Sequence, residues 1–297
     1  MPKKRQICRF GKRNTFSYTS RAYLTTSVVM SKQLTAATAD KYVLYQKAVQ
    51  SADQDAAFLY DTYKALRGRN PKHLREDFCG TCLLSCHWLL INRRNTAECY
   101  DIDPEPLAWG QEHTIKPLLK SSKRITQFQE DAREPSRTAP DVRCAQNFSY
   151  WVFKTRSEML AYFKGVQQDL AADGVFVIDL HGGPESIQEL EEETEMDDES
   201  FTYVWDQDSI NPITSEARLH IHFRFPDGSE MTDAFTYDWR LWGLTELRDL
   251  LIDAGFSSAT CYWEGTDEDG ESGNGIFTPS EEGEACLSYV AYLVATK

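Results

Sequence analysis

Carboxylates and small residues recur in this chain at spacings that suit the gripping of a polyhydroxylated, charged ligand. The stretch Leu74-Arg75-Glu76-Asp77-Phe78-Cys79-Gly80-Thr81-Cys82 reads as a strand that ends in acids and turns through a small-residue loop. The apolar run Leu83–Ile91 follows it and is long enough for a helix packed under a sheet. A loop that opens a helix aims the free N–H groups of the helix start at whatever lies in front. Next comes Ala97-Glu98-Cys99-Tyr100-Asp101-Ile102-Asp103, a second short strand ending in carboxylates, with Asp101 21 residues after Gly80. That is about the interval at which a nucleotide-binding βαβ unit places the acid that holds a ribose diol.

These residues resemble the first motif of the class I S-adenosylmethionine-dependent methyltransferases, small-molecule branch: an acid followed by a Gly-x-Gly-x-Gly loop. Glu76 takes the acidic position and Gly80 the middle glycine, while Phe78 and Cys82 stand where the family has its outer glycines. The resemblance implies S-adenosyl-L-methionine as the cofactor. It also implies its contacts: Glu76, Phe78, Cys79 and Gly80 at the methionine end, Asp101 and Ile102 at the ribose, and Asp131 and Ala132 at the adenine, where Arg124–Ala132 reads as a strand ending in an acid. The run Asn147-Phe148-Ser149-Tyr150 is similar to the Asn-Pro-Pro-Tyr signature of amino-directed members, without its prolines. It marks Asn147 as a cofactor or substrate contact and Tyr150 as a candidate base behind His181, which stands at the mouth of strand five. Helices before the first strand close over the pocket in this family, so Tyr42 and Tyr45 are expected to line it together with Trp151, Tyr237, Trp239 and Arg240.

The elements that must position these residues follow from periodicity and turn signals. Asp40–Arg69 is helical in pattern and is stopped by Gly68 and Pro71; Leu107–Leu119 reads as a helix; Thr155-Arg156-Ser157-Glu158 is a capping box opening another. Val175–Leu180 is nearly all apolar, as in the middle of a parallel sheet. Strands alternating with helices predict an α/β, doubly wound arrangement, and the resemblance makes it a Rossmann-like seven-stranded sheet with an antiparallel last strand. An antiparallel β subdomain is expected as an insertion after strand five, residues 185–238, covering the substrate. Within it, Glu185–Ser200, with nine acids, reads as a solvated helix and loop. The closing elements are a helix at Leu244–Phe256, a strand at Ala259–Trp263, a linking loop at Thr266–Glu284 and a strand at Leu287–Ala295.

Of the 297 residues, those numbered 1–39 carry eight Lys/Arg and no acid, the composition of a disordered basic tail or a transit peptide. This leaves the compartment open between cytoplasmic and mitochondrial. The methyltransferase-like domain is then 40–297. That remainder holds 24 basic against 46 acidic residues, a balance of −22, which repels polyphosphate and argues for a small-molecule substrate and against nucleic-acid or anionic membrane partners. No run of 18 apolar residues predicts a membrane span. The eight cysteines, dispersed through apolar patterns, read as reduced thiols; Cys79-Gly80-Thr81-Cys82 spells C-x-x-C, but no partner pair follows at zinc-site spacing, so no metal is expected. Three other readings stay open: a methyltransferase-like protein that binds partners without catalysis, a nucleic-acid methyltransferase, and a nicotinamide oxidoreductase. The oligomeric state and the methyl acceptor are not legible.

Overall fold

The structure, a computed structural model, describes residues 34–267 and 273–297. Most of the basic segment, together with Cys8, lies outside the described residues.

Asp40 caps α1 (Lys41–Ala48), its carboxylate accepting the Tyr42 and Val43 N–H groups, and α2 (Ala52–Arg67) ends at Gly68 in the left-handed conformation. The single helical pattern predicted here is therefore two helices, broken after Val49, with α1 freed to cross toward the C-terminal strand tips. Then β1 (His73–Asp77), α3 (Leu83–Ile91), β2 (Thr96–Asp101) and α4 (Pro104–Gly110) follow. The predicted helix over 107–119 is only partly regular: α4 passes through one wide turn (Gln111–Ile115) into a tight segment (Lys116–Arg124) kinked at Leu119, whose φ is 53°. After β3 (Ile125–Gln129) and β4 (Val142–Ala145), Thr155 and Glu158 close the predicted capping box on α5 (Arg156–Asp169). Next comes β5 (Val175–Gly182), seven of whose eight residues are buried.

An antiparallel four-stranded sheet is inserted between β5 and α6 (Leu244–Asp253): β6 (Leu190–Glu195), β7 (Thr202–Ile210), β8 (Glu216–Arg224) and β9 (Glu230–Arg240), in sequential order. The acid-rich run read as a solvated helix contains β6 instead. Two of its acids that are two residues apart, Glu191 and Glu193, both reach Arg224 of β8, which also meets Glu230. One guanidinium shared by alternate carboxylates rewards a period of two and not a helical one. The chain ends with β10 (Ser258–Thr266), β11 (Gly273–Pro279) and β12 (Tyr289–Thr296).

The main sheet runs β3-β2-β1-β4-β5-β12-β10-β11, its first five strands parallel and β12 antiparallel to both of its neighbours. It has eight strands rather than the expected seven, because the predicted linking loop after β10 folds back as β11, an edge strand whose Pro279 sits at its end. One face is covered by α2 and α3, with Leu59, Tyr63, Trp88 and Leu89 packed on Leu74, Val142 and Val177. On the other face, α5 and α6 share a core with the inserted sheet, where Phe163, Phe176 and Leu251 join Tyr203, Ile221 and Trp239. The insertion is thus welded to the main domain by burial.

The direction of the strands creates the place for a site. Chain order reverses between β1 and β4, so the loops leaving their carboxyl ends diverge and open a crevice. The Thr155 hydroxyl accepts from the Glu158 N–H at 3.2 Å while the Glu158 carboxylate takes the Thr155 N–H at 3.0 Å. Thr155→Ala is expected to cost about 1 kcal/mol in urea-denaturation stability, and Thr155→Ser to restore most of it.

Candidate active site at the tips of β1, β2 and β4

The loop after β1 places Phe78 at φ 56°, Gly80 at φ 50° and Cys82 at φ 59°, so three of five residues are left-handed. Two of them lack the freedom of glycine, and the αL conformation costs a residue with a Cβ about 1–2 kcal/mol. Bonds around the turn offset it: Cys79 N–H donates to the Tyr100 carbonyl at 3.0 Å and Cys82 N–H to the Cys79 carbonyl at 2.8 Å. The Gly80 N–H donates to Asp101 Oδ2 at 2.7 Å, and a Cβ built on Gly80 would meet nothing within 4 Å. That open space before the loop is where a ligand can approach the backbone. Gln46 of α1 reaches across and donates to the Thr81 hydroxyl at 2.8 Å, tying the N-terminal helix to the same loop.

Glu76 is buried at the end of β1, and its Oε2 accepts the Ser85 N–H at 3.0 Å and the Ser85 hydroxyl, so it secures the first turn of α3. Burial holds its carboxyl well above the usual carboxylate range despite these bonds. Asp101 at the tip of β2 accepts Gly80 N–H and, at 2.9 Å, the Asp103 N–H; burial raises its carboxyl too, against the opposing pull of those two backbone bonds. Ile102 beside it is 70 % exposed. Gly80 and Asp101 are thus joined directly, while Glu76 is bonded to Ser85 at the start of α3.

The third predicted acid is already engaged. Asp131 is gripped by Arg133, whose Nε and Nη2 donate to Oδ1 and Oδ2 at 2.9 and 2.6 Å, and this pairing lowers its pKa. An adenine amine would share the acceptor capacity of Asp131 with Arg133, since a carboxylate can accept about four hydrogen bonds. Ala132 is buried, and its carbonyl receives hydrogen bonds from the guanidiniums of both Arg75 and Arg143. Asn147 and Phe148, at φ 55° and 57°, form a second left-handed turn after β4. Their N–H groups donate to the two oxygens of Asp179 on β5, at 2.8 and 3.1 Å.

Neither predicted base suits that role. Tyr150 is fully buried and donates its hydroxyl to the Asp179 carbonyl at 2.7 Å; burial pushes its pKa far up, out of reach of ionisation near neutrality. His181 lies buried on β5 with Nε2 2.9 Å from the Ser288 hydroxyl, and desolvation lowers its pKa to about 4, leaving a neutral and feeble base. Arg240 is likewise a joint rather than a pocket wall. It pairs with Glu246 at 2.9 Å, donates to the Lys154 carbonyl at 3.3 Å and lies 3.7 Å over the Trp242 ring. The aromatic candidates do gather: Tyr45 packs on Phe235 at 4.9 Å, Tyr42 on the same ring at 5.9 Å, Tyr237 on Trp239 at 4.2 Å, and Trp151 edge-on to Trp239 at 5.8 Å. Trp151 and Trp239 are core, whereas Tyr45 and Tyr237 are only partly covered and stand between α1 and the inserted sheet.

Sequence reasoning missed Asp179, Arg75, Arg143 and Gln46. The signal for the first three was present: an ionisable residue inside a buried strand is costly unless bound, and Asp179 interrupts Val175–Leu180 as the arginines interrupt β1 and β4. Among the described residues, no group of three or more His, Cys, Asp or Glu is arranged to hold a metal ion, and no helix is long and apolar enough to cross a membrane.

No family model matches the chain. Over 185 residues it is 25 % identical to "Putative methyltransferase YqeM" of Bacillus subtilis (strain 168), a span that covers 60 % of this chain and 70 % of that protein. Solved structures superpose over most of its length. An S-adenosylmethionine-dependent methyltransferase from Clostridium acetobutylicum ATCC 824 matches with a TM-score of 0.62 and 13 % identity, covering 86 % of this chain and 96 % of that one. CalS10, an amino pentose methyltransferase from Micromonospora echinaspora bound to S-adenosylmethionine, matches at 0.61 and 17 %, covering 86 % and 95 %. The mixed α/β sheet is therefore that of the Rossmann-like fold of S-adenosylmethionine-dependent methyltransferases.

Proposed function

We propose that this chain is a methyltransferase that uses S-adenosyl-L-methionine to methylate a nitrogen or oxygen of a small molecule. One observation carries the reading: the carboxylate at the tip of β2 is fixed on the Gly80 N–H, beside a left-handed loop that leaves open space in front of Gly80. An acid one strand over from a helix-opening loop is the arrangement that takes a ribose diol. Asp101 is proposed to hold the ribose, Glu76 and the loop 78–80 the methionine end, and the segment about Asp131 and Ala132 the adenine. Bound there, the cofactor supplies an electrophilic methyl on a sulfonium, open to in-line displacement.

The chain's own work is then placement and exclusion of water. Residues 185–238 act in this reading as the substrate cover, with Tyr45 and Tyr237 beside the acceptor. With Tyr150 and His181 removed as bases, an acceptor that arrives as a neutral amine fits best, since it attacks without prior loss of a proton. The net charge of −14 supports a small acceptor over nucleic acid. The remaining alternative, a methyltransferase-like binding protein without catalysis, draws on the non-glycine residues at positions 78 and 82. The expected tail over residues 1–39 is too long at its end, because Leu34, Ala36 and Ala39 pack on the core and the Ala36 N–H donates to the Ser229 hydroxyl at 3.0 Å; residues 1–33 stay proposed as a tail or transit segment, in a cytoplasmic or mitochondrial protein.

Calorimetric titration is expected to show binding of S-adenosylmethionine and S-adenosylhomocysteine and none of NADH; failure of the first two ends this reading. Asp101→Asn keeps an acceptor for Gly80 but removes a charged partner of the ribose, and should weaken S-adenosylhomocysteine about 10- to 100-fold, as the loss of one or two charge-assisted hydrogen bonds does. Glu76 supplies a pH signature. Its carboxyl is raised in the free protein by burial, and a cationic amino acid end favours the ionised form, so binding lowers its pKa and releases a proton. Affinity should thus rise with pH between the bound and free values of Glu76. The measured enthalpy should differ between buffers of unlike ionisation enthalpy, a difference that Glu76→Gln abolishes.

A further inference from the structure

Two arginines from adjacent central strands, Arg75 on β1 and Arg143 on β4, are paired in register and are 0 % and 1 % exposed. Such positions in a parallel sheet are ordinarily apolar. Asp77 lies between them, accepting from each Nε at 2.7 Å and from the Tyr162 hydroxyl at 2.7 Å. Asp169 of α5 takes Arg143 Nη1 at 2.9 Å and the Ser136 N–H at 2.8 Å, and Arg75 Nη1 donates to the Ser136 hydroxyl at 3.1 Å. The Arg75 guanidinium lies 3.7 Å over the Tyr100 ring.

Burying four charges is costly, and such networks stabilise a fold no better than apolar residues of the same size. What this one accomplishes that an apolar core could not is directional. The Nη2 groups of Arg75 and Arg143 converge on the Ala132 carbonyl at 2.8 and 2.5 Å. That carbonyl belongs to the peptide plane between Ala132 and Arg133, and the N–H of the same plane donates to Asp131 Oδ1 at 2.8 Å. A peptide plane is rigid. Seizing its oxygen from beneath therefore sets the direction of its N–H, which together with the Arg133 guanidinium orients the carboxylate of Asp131.

We propose that Arg75 and Arg143 are positioning residues that fix Asp131 for an adenine through the single peptide plane joining Ala132 to Arg133. The inference rests on the reading of this crevice as an S-adenosylmethionine site and names the part of the chain that sets selectivity for its base. Lysine keeps the charge but loses the fork that lets one guanidinium hold Asp77, Ser136 and the Ala132 carbonyl together.

The test compares two ligands that differ at one group, S-adenosylhomocysteine and S-inosylhomocysteine, in which an oxygen replaces the 6-amino group. The wild-type chain is expected to bind the first at least 10-fold more tightly. In Arg75→Lys that preference should fall below about 3-fold, chiefly through weaker S-adenosylhomocysteine binding, with the inosyl ligand changed little. Should Arg75→Lys not fold, Ser136→Ala loosens the same segment from its far end and carries the comparison. An equal loss for both ligands, an unchanged preference in a folded variant, or a wild-type chain that does not discriminate overturns the proposal. A wild-type chain that binds neither ligand removes the cofactor reading itself, and the clamp with it.

Discussion

The hydrogen bond from the Gly80 N–H to the Asp101 carboxylate ties together the two parts of the crevice that come from different strands. The loop after β1 carries three left-handed residues and cannot hold that shape on local preference alone, since two of them have a Cβ. Parallel pairing of β1 with β2 sets Asp77 beside Tyr100 and brings the next residues on each strand together. The turn borrows its second anchor, the Tyr100 carbonyl, from the same strand tip. Loop and acid are therefore one object, and a change in the register of β2 would disorder both.

Around this object the sheet spends buried charge where it needs direction and apolar surface where it needs only cohesion. The α2/α3 face is closed by Leu, Trp and Cys side chains against Leu74, Val142 and Val177. On the opposite face, Arg75, Arg143 and Asp169 reach the segment 131–136, with Asp77 holding the two arginines from between. Asp179, at the end of β5, holds the turn at Asn147 and Phe148. The loops at 78–80, 131–136 and 147–148 are thus each fastened by an ionic side chain that reaches main-chain atoms.

How much of this could be read in the chain depended on whether the signal was local. The capping box at Thr155, the apolar run of β5 and the acid–loop–helix–acid order from Glu76 to Asp101 are short-range patterns with a direct physical meaning, and they led to the right elements. β6 and β11 were not legible because what makes them strands lies elsewhere in the sequence: Arg224 for the alternating glutamates, and the edge of β10 for a glycine-bearing run. His181 and Tyr150 misled for a related reason. Their chemical types suit a base, but fitness for proton transfer is set by burial and by the partners Ser288 and Asp179, which no spacing reveals. Arg240, placed by sequence at the return to the main domain, is there, and is consumed by Glu246 and Trp242.

The missing outer glycines are the feature that most invites a non-catalytic reading, and the geometry of the loop weakens that inference. A glycine is needed where φ is positive and a Cβ would also strike the ligand. Phe78 and Cys82 meet the first condition but not the second. The Phe78 ring is turned onto Phe153 and Tyr162, at centroid distances of 6.0 and 6.2 Å, and Cys82 is fully buried with its sulfur 3.5 Å from that of Cys79. Their side chains fill the floor of the loop. Gly80 differs: it is left-handed, it offers its N–H to Asp101, and its missing Cβ would project into open space. Only the middle glycine of the three faces the place a cofactor would occupy, and it is the one this chain retains.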